Sequence, residues 1–197
     1  QAVLQHPDRL GNPVSLTINF CAGVAEGAFE VNAKPARTNR STQHWVIELK
    51  QGDEVVITAT AVTAARRNTF SSNESPIPAV VAAQSLQRAQ PPKVPWTQRY
   101  DMRSITGHLP TVWDDKEGDT LTQMWVRDVQ ERSIDFVSLT ALADTFFPRV
   151  YLRRKTFVPI GTVSMTVYFH ADVAELTALG CSFVLGQAKA QSFFNGF

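Results

Sequence analysis

Residues 14–27 read Val-Ser-Leu-Thr-Ile-Asn-Phe-Cys-Ala-Gly-Val-Ala-Glu-Gly, and residues 163–176 read Val-Ser-Met-Thr-Val-Tyr-Phe-His-Ala-Asp-Val-Ala-Glu-Leu. Eight of the fourteen positions are identical, and two further positions differ conservatively. The offset between the two stretches is 163 − 14 = 149 residues. Self-similarity at a fixed offset is the signature of a duplicated structural unit. The 197-residue chain is therefore predicted to contain two copies of one small domain.

The composition excludes several classes of protein. With 44% hydrophobic and 19% charged residues, the chain is typical of a soluble globular protein. A net charge of +1 argues against a nucleic-acid surface, since the longest basic run is only Arg153-Arg154-Lys155. No apolar run reaches the roughly 18 residues of a membrane span. The two cysteines, Cys21 and Cys181, lack metal-ligand spacing and predict reduced thiols in a cytoplasmic setting, with no metal or cofactor.

The first copy is predicted to be an antiparallel meander that follows the end of a helix. That helix should stop near His6-Pro7, because a residue that precedes proline is pushed out of the α region. Alternating apolar residues then predict strands, and Gln51-Gly52-Asp53 predicts a tight hairpin turn between the last two. The predicted strands are about 14–21, 28–37, 41–50 and 54–66.

The second copy is predicted to repeat the helix and the first strands. Its predicted elements are strands at about 99–107 and 120–128, a helix at about 134–147 capped by Ser133, and strands at 162–170 and 181–193. The Ser/Pro-rich residues 68–98 predict an inter-repeat linker with a short helix at 79–88. The predicted domains are thus 1–67 and 99–197. By the duplication, a longer helix is expected before residue 1 and a hairpin like 41–66 after residue 197.

Asp144 is the main candidate for chemistry. On the predicted helix it lies roughly 95° from the centre of the apolar stripe formed by Phe136, Leu139, Ala143 and Phe147. It also lies in the last turn, where the helix dipole disfavours an anion. Both features favour a raised pKa, which suits a general base or a water-orienting group. A partly solvated surface acid is the alternative.

The other polar candidates are less specific. Thr162 could donate a hydrogen bond to water, although threonine is simply common in strands. His44 and His170 lack a visible carboxylate partner, and strand cysteines are usually inert. Four arginines near strand ends could bind phosphates or could be solvated hairpin ends, namely Arg37, Arg40, Arg66 and Arg67. Neither a Gly-x-Ser-x-Gly elbow nor a glycine-rich phosphate loop occurs in the sequence.

Three segments carry a resemblance to a known family. They are Arg40–Leu49 (Arg-Ser-Thr-Gln-His-Trp-Val-Ile-Glu-Leu), Gln123–Arg127 (Gln-Met-Trp-Val-Arg) and Gly161–His170 (Gly-Thr-Val-Ser-Met-Thr-Val-Tyr-Phe-His). Together with the duplicated helix-and-meander pattern, they resemble the tandem double-hotdog acyl-CoA thioesterases related to acyl-CoA thioesterase II. The resemblance implies an α+β double hotdog, in which two antiparallel-sheet repeats each wrap a central helix and the sheets join edge to edge.

The resemblance also implies an activity. In that family a water held by an Asp, a Ser/Thr hydroxyl and a Gln hydrolyses acyl-CoA without a covalent intermediate. Ala143–Pro148 resembles the Asp segment, which implies the catalytic role for Asp144, and alignment from Phe169-His170 implies the hydroxyl role for Thr162. The Gln is expected on a last strand that lies outside this sequence. A cytoplasmic role in lipid metabolism and a homo-oligomer, a dimer of double hotdogs, are further expectations.

Two other functions fit a hotdog fold. A hydratase needs a His shortly after its Asp, and the residues after Asp144 are Thr-Phe-Phe-Pro-Arg-Val, which disfavours that reaction. A non-catalytic acyl-binding or assembly protein of thioesterase descent is the alternative that the sequence leaves open.

Overall fold

The computed structural model describes residues 1–90 and 94–196. The chain divides into two compact units. Unit 1 comprises Gln1–Ser72 with Gly161–Leu176, and unit 2 comprises Asn73–Ile160 with Thr177–Phe197, as far as these residues are described. The units thus cut across the domains predicted from the repeat, because a short segment of the second copy lies in unit 1.

Most of the predicted strands are present, with ends shifted by a few residues. The elements are α1 (Ala2–Gln5), β1 (Asn12–Phe20), β2 (Glu30–Thr38), β3 (Thr42–Gln51), β4 (Glu54–Ala64), β5 (Tyr100–Thr106), β6 (Thr122–Asp128), α2 (Phe136–Ala143), α3 (Val150–Arg154), β7 (Ser164–Tyr168), α4 (Val173–Leu179) and β8 (Val184–Ala188). Two single 3-10 turns lie at Ala83–Ser85 and Pro95–Arg99. The hairpin turn between β3 and β4 is as expected, with Gly52 at a φ of 58°.

Unit 1 is built on a five-stranded antiparallel sheet with the order β2-β3-β4-β1-β7. Trp45 of β3 anchors its core and is only 1% exposed. Its Nε1–H donates to Thr63 Oγ1 at 3.2 Å, and the His6 ring meets it edge-on at 4.8 Å. Val3 of α1 and Ala61 of β4 pack against it. Helix α1 thus covers the face of the meander that the alternating sequence predicts.

Gln43 ties the chain before β1 to the same sheet. Its side chain is 1% exposed, accepts a hydrogen bond from Leu10 N at 2.8 Å, and donates to Asp8 O at 3.0 Å and Thr38 Oγ1 at 2.9 Å. The amide oxygen and both amide N–H groups of Gln43 are therefore engaged in hydrogen bonds. A buried amide of this kind stabilises one path of the backbone, since any other path leaves polar atoms unpaired.

The two copies of the repeated stretch pair with each other. β1 and β7 are antiparallel, with Thr17 opposite Thr166, and 166 − 17 = 149 is the offset of the sequence repeat. Ser15 lies opposite Tyr168 and Asn19 opposite Ser164, so each pair is matched by its repeat-related pair. The Thr17 and Thr166 Oγ1 atoms are 3.1 Å apart. A local pseudo-twofold axis therefore passes between these two threonines, as the duplication predicts.

Unit 2 contains a three-stranded antiparallel sheet with the order β5-β6-β8. Met124 and Val126 of β6 point into its core and are 5% and 2% exposed. The predicted linker contacts this sheet. Val81 O accepts the Trp125 Nε1–H at 2.8 Å, and Ala83 O accepts from Arg103 at 2.9 Å. The helix predicted at 79–88 is wrong, since that segment forms only a 3-10 turn, and Pro91-Pro92-Lys93 lies outside the described residues.

Helix α4 was not predicted, and its counterpart in the first copy is not helical. Asp172 and Glu175 form a capping box, with Asp172 N donating to Glu175 Oε2 and Glu175 N to Asp172 Oδ1, both at 2.8 Å. At the offset of 149, Gly23 stands where Asp172 stands in the second copy, and Gly27 where Leu176 stands. Glycine supplies neither a cap side chain nor helix propensity. Two substitutions thus account for a helix in one copy and a loop in the other.

The helices are short throughout the described residues, and α2, with eight residues, is the longest. Within residues 1–90 and 94–196, none has the length and apolar character needed to cross a membrane.

Replacing Gln43 by Leu should lower the free energy of unfolding by about 1–3 kcal/mol, because the N–H of Leu10 and the carbonyl of Asp8 lose their partner. Urea denaturation followed by Trp fluorescence measures this change. The control is His44→Leu on the exposed side of the same strand, expected within about 0.5 kcal/mol of the wild type. Equal effects of the two substitutions would contradict the role of the buried amide.

Candidate active site

Asp135, not Ser133, begins helix α2. The Asp135 carboxylate accepts from Ser138 N at 2.7 Å, and Ser138 Oγ accepts from Asp135 N at 2.9 Å, which completes a capping box. Arg132 donates to both oxygens of the same carboxylate, at 3.0 and 2.8 Å. Burial alone would raise the pKa of Asp135, but the Ser138 N–H and the Arg132 guanidinium lower it overall. The N-terminus of α2 is thus capped by the Asp135 side chain.

The other end of α2 places Asp144. The helix ends at Ala143, earlier than predicted, and Asp144 is its C-cap with φ −99° and ψ 14°. Thr145 stabilises this turn, since its side chain is buried (4% exposed) and its Oγ1 donates to Leu142 O at 2.7 Å. The geometry of the turn therefore depends on a buried hydroxyl that directly follows the candidate carboxylate.

The Asp144 carboxylate has an unusual environment. No hydrogen bond or ion pair to it is observed from any residue in 1–90 or 94–196. Its side chain remains exposed by area, yet the surrounding protein atoms remove part of its hydration, and this desolvation raises its pKa. The direction follows the expectation from the sequence, although the cause is burial alone. Asp144 is thus a carboxylate that nothing among the described residues neutralises.

A groove of about 600 Å³ lies between α2 and β8. Its walls are mostly apolar and come from α2, the turn that follows it, β6 and β8. The lining residues are Val126, Leu139, Leu142, Ala143, Phe146, Phe147, Pro148, Arg149, Val184, Leu185, Gly186, Gln187, Ala188 and Lys189. Asp144 is not one of them, but it lies between Ala143 and Phe146, which are. Asp144 is therefore adjacent in sequence to residues that line the groove, but its own side chain is not part of the lining.

Phe146 can line the groove because residue 186 has no side chain. A Cβ atom at Gly186 would lie 2.8 Å from Cζ of Phe146, closer than van der Waals contact allows. A glycine inside a strand often marks such a close approach, so this signal is present in the sequence. The approach was nevertheless not predicted, because nothing local to Gly186 indicates that the distant Phe146 ring is the group that lies against it.

Arg149 closes the turn after α2. Its Nε donates to Phe147 O at 3.0 Å, its Nη1 donates to Thr122 Oγ1, and its guanidinium lies 4.3 Å from the centre of the Phe147 ring. Burial lowers the pKa of Arg149. These contacts fix the turn to β6 and make Arg149 a structural cation at the groove. No feature of the local sequence distinguishes it from the other arginines.

Thr162 is not among the residues that line the groove. It is exposed and precedes β7, which begins at Ser164, so the prediction that it lies in a strand is wrong. It belongs to unit 1, whereas Asp144 belongs to unit 2. The shared role of Asp144 and Thr162 stays a prediction.

The remaining candidates have structural contacts or none. Arg66 donates to the carbonyls of Pro13, Phe169 and His170, and so fastens the ends of β1 and β7. Arg37 donates to Asn39 Oδ1 at 2.9 Å, in the turn between β2 and β3. These arginines hold backbone and turn atoms together, which favours the structural alternative over phosphate binding.

The histidines and cysteines are exposed or engaged in turns. His44 and His170 are both exposed, as is Cys21. The Cys181 Sγ donates to Glu131 O at 2.7 Å. The prediction that both cysteines lie in strands is wrong, since Cys21 follows β1 and Cys181 lies in the turn after α4.

Comparison with known proteins identifies the class. The C-terminal domain of the acyl-CoA thioesterase family matches residues 77–197, and the N-terminal domain of the same family matches residues 1–64. The chain therefore belongs to the acyl-CoA thioesterase family, which confirms the resemblance found in the sequence, and its fold is a hotdog fold. No protein of curated function matches the chain significantly.

Solved structures give particular relatives. A conserved hotdog-fold protein of unknown function from Alicyclobacillus acidocaldarius is 43% identical, with a TM-score of 0.91 over 98% of this chain and 72% of that one. The tesB protein of Mycobacterium avium subs paratuberculosis is 15% identical, with a TM-score of 0.71 over 93% of this chain and 68% of that one. Acyl-CoA thioesterase II TesB2 of Mycobacterium marinum is 16% identical, with a TM-score of 0.69 over 99% and 74%. At these identities the last two show the fold alone.

Asp144→Asn should make the protein more stable at neutral pH. Between the ordinary Asp pKa of about 3.9 and its raised folded-state pKa, the folded state binds more protons than the unfolded state, so wild-type stability falls as pH rises through this window. Asn cannot ionise, and the gain should vanish below about pH 3.9. Urea denaturation across pH measures the difference between the two proteins.

Asp135→Asn is the matched control at the other end of α2. The pKa of Asp135 is lowered, so its ionised form stabilises the folded state above the ordinary pKa, and the variant should be less stable than the wild type at neutral pH. If both variants change stability in the same direction, the assignment of Asp144 as an uncompensated charge is wrong.

Proposed function

We propose that this protein hydrolyses acyl-CoA thioesters to a free acid and CoA, using a water molecule that Asp144 activates. Membership of the acyl-CoA thioesterase family supports the reaction class. The observation that supports Asp144 as the base is its environment, since it is an uncompensated and partly desolvated carboxylate at the end of α2 and directly follows Ala143, which lines an apolar groove. A desolvated carboxylate has the raised basicity that general-base catalysis near neutral pH requires.

In the proposed reaction the Asp144 carboxylate accepts a proton from water while the water oxygen bonds to the thioester carbonyl carbon. The carbonyl π electrons move onto oxygen, and their return breaks the carbon–sulfur bond. The CoA thiolate leaves and takes up the proton from Asp144, which restores the carboxylate. The Thr162 hydroxyl is proposed to hydrogen-bond the water or the thioester oxygen. The Gln expected from the family is assigned to no residue of this sequence.

The groove gives the proposal a place for the acyl chain. Its apolar walls suit a hydrocarbon chain, which gains free energy when it leaves water. Lys189 and Arg149 supply positive charge at the same groove, complementary to an anionic ligand. The reacting carbon would then lie near Ala143, one residue before Asp144.

A non-catalytic acyl-binding protein is the second candidate. One observation favours it, namely that Asp144 is not among the residues that line the groove. A panel of acyl-CoA substrates separates the two functions, with released thiol as the readout for hydrolysis and calorimetry as the readout for binding. Binding without thiol release by the full-length protein would replace the thioesterase proposal with the second candidate.

The complete fold, the oligomeric state and the cellular role are proposed from the family resemblance. Two hotdog repeats that each wrap a central helix, with sheets joined edge to edge, would make the complete double hotdog. A dimer of double hotdogs and a cytoplasmic role in lipid metabolism complete this proposal. Light scattering of the full-length protein tests the oligomer.

Asp144→Asn should lower kcat for acyl-CoA hydrolysis by about 10²–10⁴-fold, the usual contribution of a general base, with little change in substrate binding. Thr162→Val should lower kcat less, because it removes one hydrogen bond and not the base. Asp53→Asn, in the exposed β3–β4 turn, is the control and should leave kcat unchanged. Wild-type kcat in the Asp144→Asn enzyme would exclude Asp144 as the base.

Gly186→Val should shorten the acyl chain that the groove accepts. The added side chain forces the Phe146 ring into the groove, so kcat/KM for long acyl chains should fall relative to acetyl-CoA. Turnover of acetyl-CoA serves as the internal control, since a two-carbon acyl group does not reach that wall. A uniform loss across all chain lengths would count against this groove as the acyl site.

A further inference from the structure

The groove of unit 2 carries positive charge without a counter-ion. Its lining residues include two cations, Arg149 and Lys189, and no carboxylate. Neither cation forms an ion pair with any other residue that the structure describes. Within the same residues, Arg149 donates only to backbone carbonyls and one threonine hydroxyl, and burial lowers its pKa. A charge that loses hydration is normally paired. The groove therefore has two positive charges that an anionic ligand would balance.

Both cations lie at one end of the groove. Ala188 of β8 pairs with Thr122 of β6, and Arg149 donates to the hydroxyl of that same threonine. Lys189 directly follows Ala188, so it lies just beyond the end of β8. Val126, which also lines the groove, lies four residues further along β6, about 13 Å away at the rise of a strand. The groove thus extends from an apolar end at Val126 to a cationic end.

The turn after α2 runs along the groove towards the cationic end. The Phe146 ring lies against Gly186, which pairs with Met124, and Met124 is two residues from Thr122 on β6. Three residues after Phe146, Arg149 reaches Thr122 itself. The turn therefore advances towards the start of β6, and the residues that precede Phe146 lie towards the end of β6.

Tyr100 shows the same direction independently. It pairs with Asp128, the last residue of β6. Burial raises the pKa of Tyr100 most, and the negative charges of Asp128 and Asp144 raise it further, whereas Arg132 opposes them. A charge shifts a pKa appreciably only when it is nearby, so Asp144 lies near Tyr100. The candidate base and the two cations thus lie towards opposite ends of β6.

We propose that the groove binds acyl chains that end in a carboxylate, and that Lys189 binds this terminal carboxylate. The proposal rests on the proposed function, in which the reacting carbon lies near Ala143. A chain that starts there and follows the apolar wall reaches the two cations with its far end. An ammonium group donates charge-assisted hydrogen bonds to a carboxylate, which are about twice as strong as neutral ones. Arg149 adds positive charge at the same end, so the subsite favours an anion over an alkyl end.

Binding of ligands that lack CoA tests the subsite independently of hydrolysis. The probes are the monomethyl and dimethyl esters of dodecanedioic acid, which share one chain and differ in one terminal carboxylate. Calorimetry with the full-length protein should show at least about 10-fold tighter binding of the monomethyl ester, the usual gain from a hydrogen bond to a charged group. Equal affinities for the two esters would overturn the proposal.

Variants of Lys189 assign the preference to this side chain. Lys189→Met removes the charge and retains an unbranched side chain, so most of the preference for the monomethyl ester should be lost. Lys189→Arg keeps a positive charge and should retain the preference. Lys34→Met is the matched control, because Lys34 is an exposed lysine that does not line the groove. A preference that survives in Lys189→Met would overturn the role of Lys189.

Hydrolysis distinguishes a terminal carboxylate from the phosphates of CoA, the other anions of the proposed substrate. Lys189→Met should lower kcat/KM for dodecanedioyl-CoA relative to dodecanoyl-CoA, by about the factor that is lost in ester binding. An equal loss for both substrates would assign Lys189 to CoA and overturn the proposal. If neither thioester is hydrolysed while the full-length protein still prefers the monomethyl ester, the subsite stands and the proposed hydrolysis is wrong.

Discussion

The pairing of β1 with β7 is the contact on which unit 1 depends. It joins strands that are 149 residues apart, so its hydrogen bonds must offset the entropy of closing a long loop. Arg66 strengthens the same junction, because its guanidinium binds backbone carbonyls at the start of β1 and after β7. As a consequence, residues 161–176 belong to unit 1 although the sequence places them in the second copy.

The two ends of helix α2 place two carboxylates in opposite electrostatic environments. Asp135 begins the helix, where backbone N–H groups and Arg132 satisfy it, and its pKa is lowered. Asp144 ends the helix, where the dipole offers no support, and desolvation raises its pKa. A charge held in an unfavourable place is a common mark of a functional site, since stability alone would remove it. This contrast favours Asp144 as the residue that acts.

The alternating strands of the first copy were predictable because period-2 patterns depend on each strand alone. Trp45 is buried as its strand pattern predicts, and the β3–β4 turn follows from Gly52. Elements that depend on one capping residue were predicted less well. Ser133 and Asp135 are both good N-caps, and only the folded structure, in which Ser138 N donates to the Asp135 carboxylate, shows which is used.

The groove could not be predicted, because it depends on residues far apart in the sequence. Phe146 and Gly186 are 40 residues apart, and only packing brings the ring against the strand. The position of Thr162 outside β7 was missed for a different reason. Strand ends are set by where pairing stops, and β7 pairs with β1 only over residues 164–168.

The axis between Thr17 and Thr166 also bears on how this contact can evolve. In a symmetric homodimer, a residue near the axis faces its own copy, so one mutation changes both sides at once. In a fused chain the two sides are encoded separately. The neighbouring pairs are Leu16 with Val167 and Ile18 with Met165, four different side chains where a symmetric ancestor would have had two. A mutation that reduces side-chain volume on one strand can thus be compensated by a mutation that increases it on the other strand. Identical subunits cannot compensate in this way, because every mutation occurs on both sides.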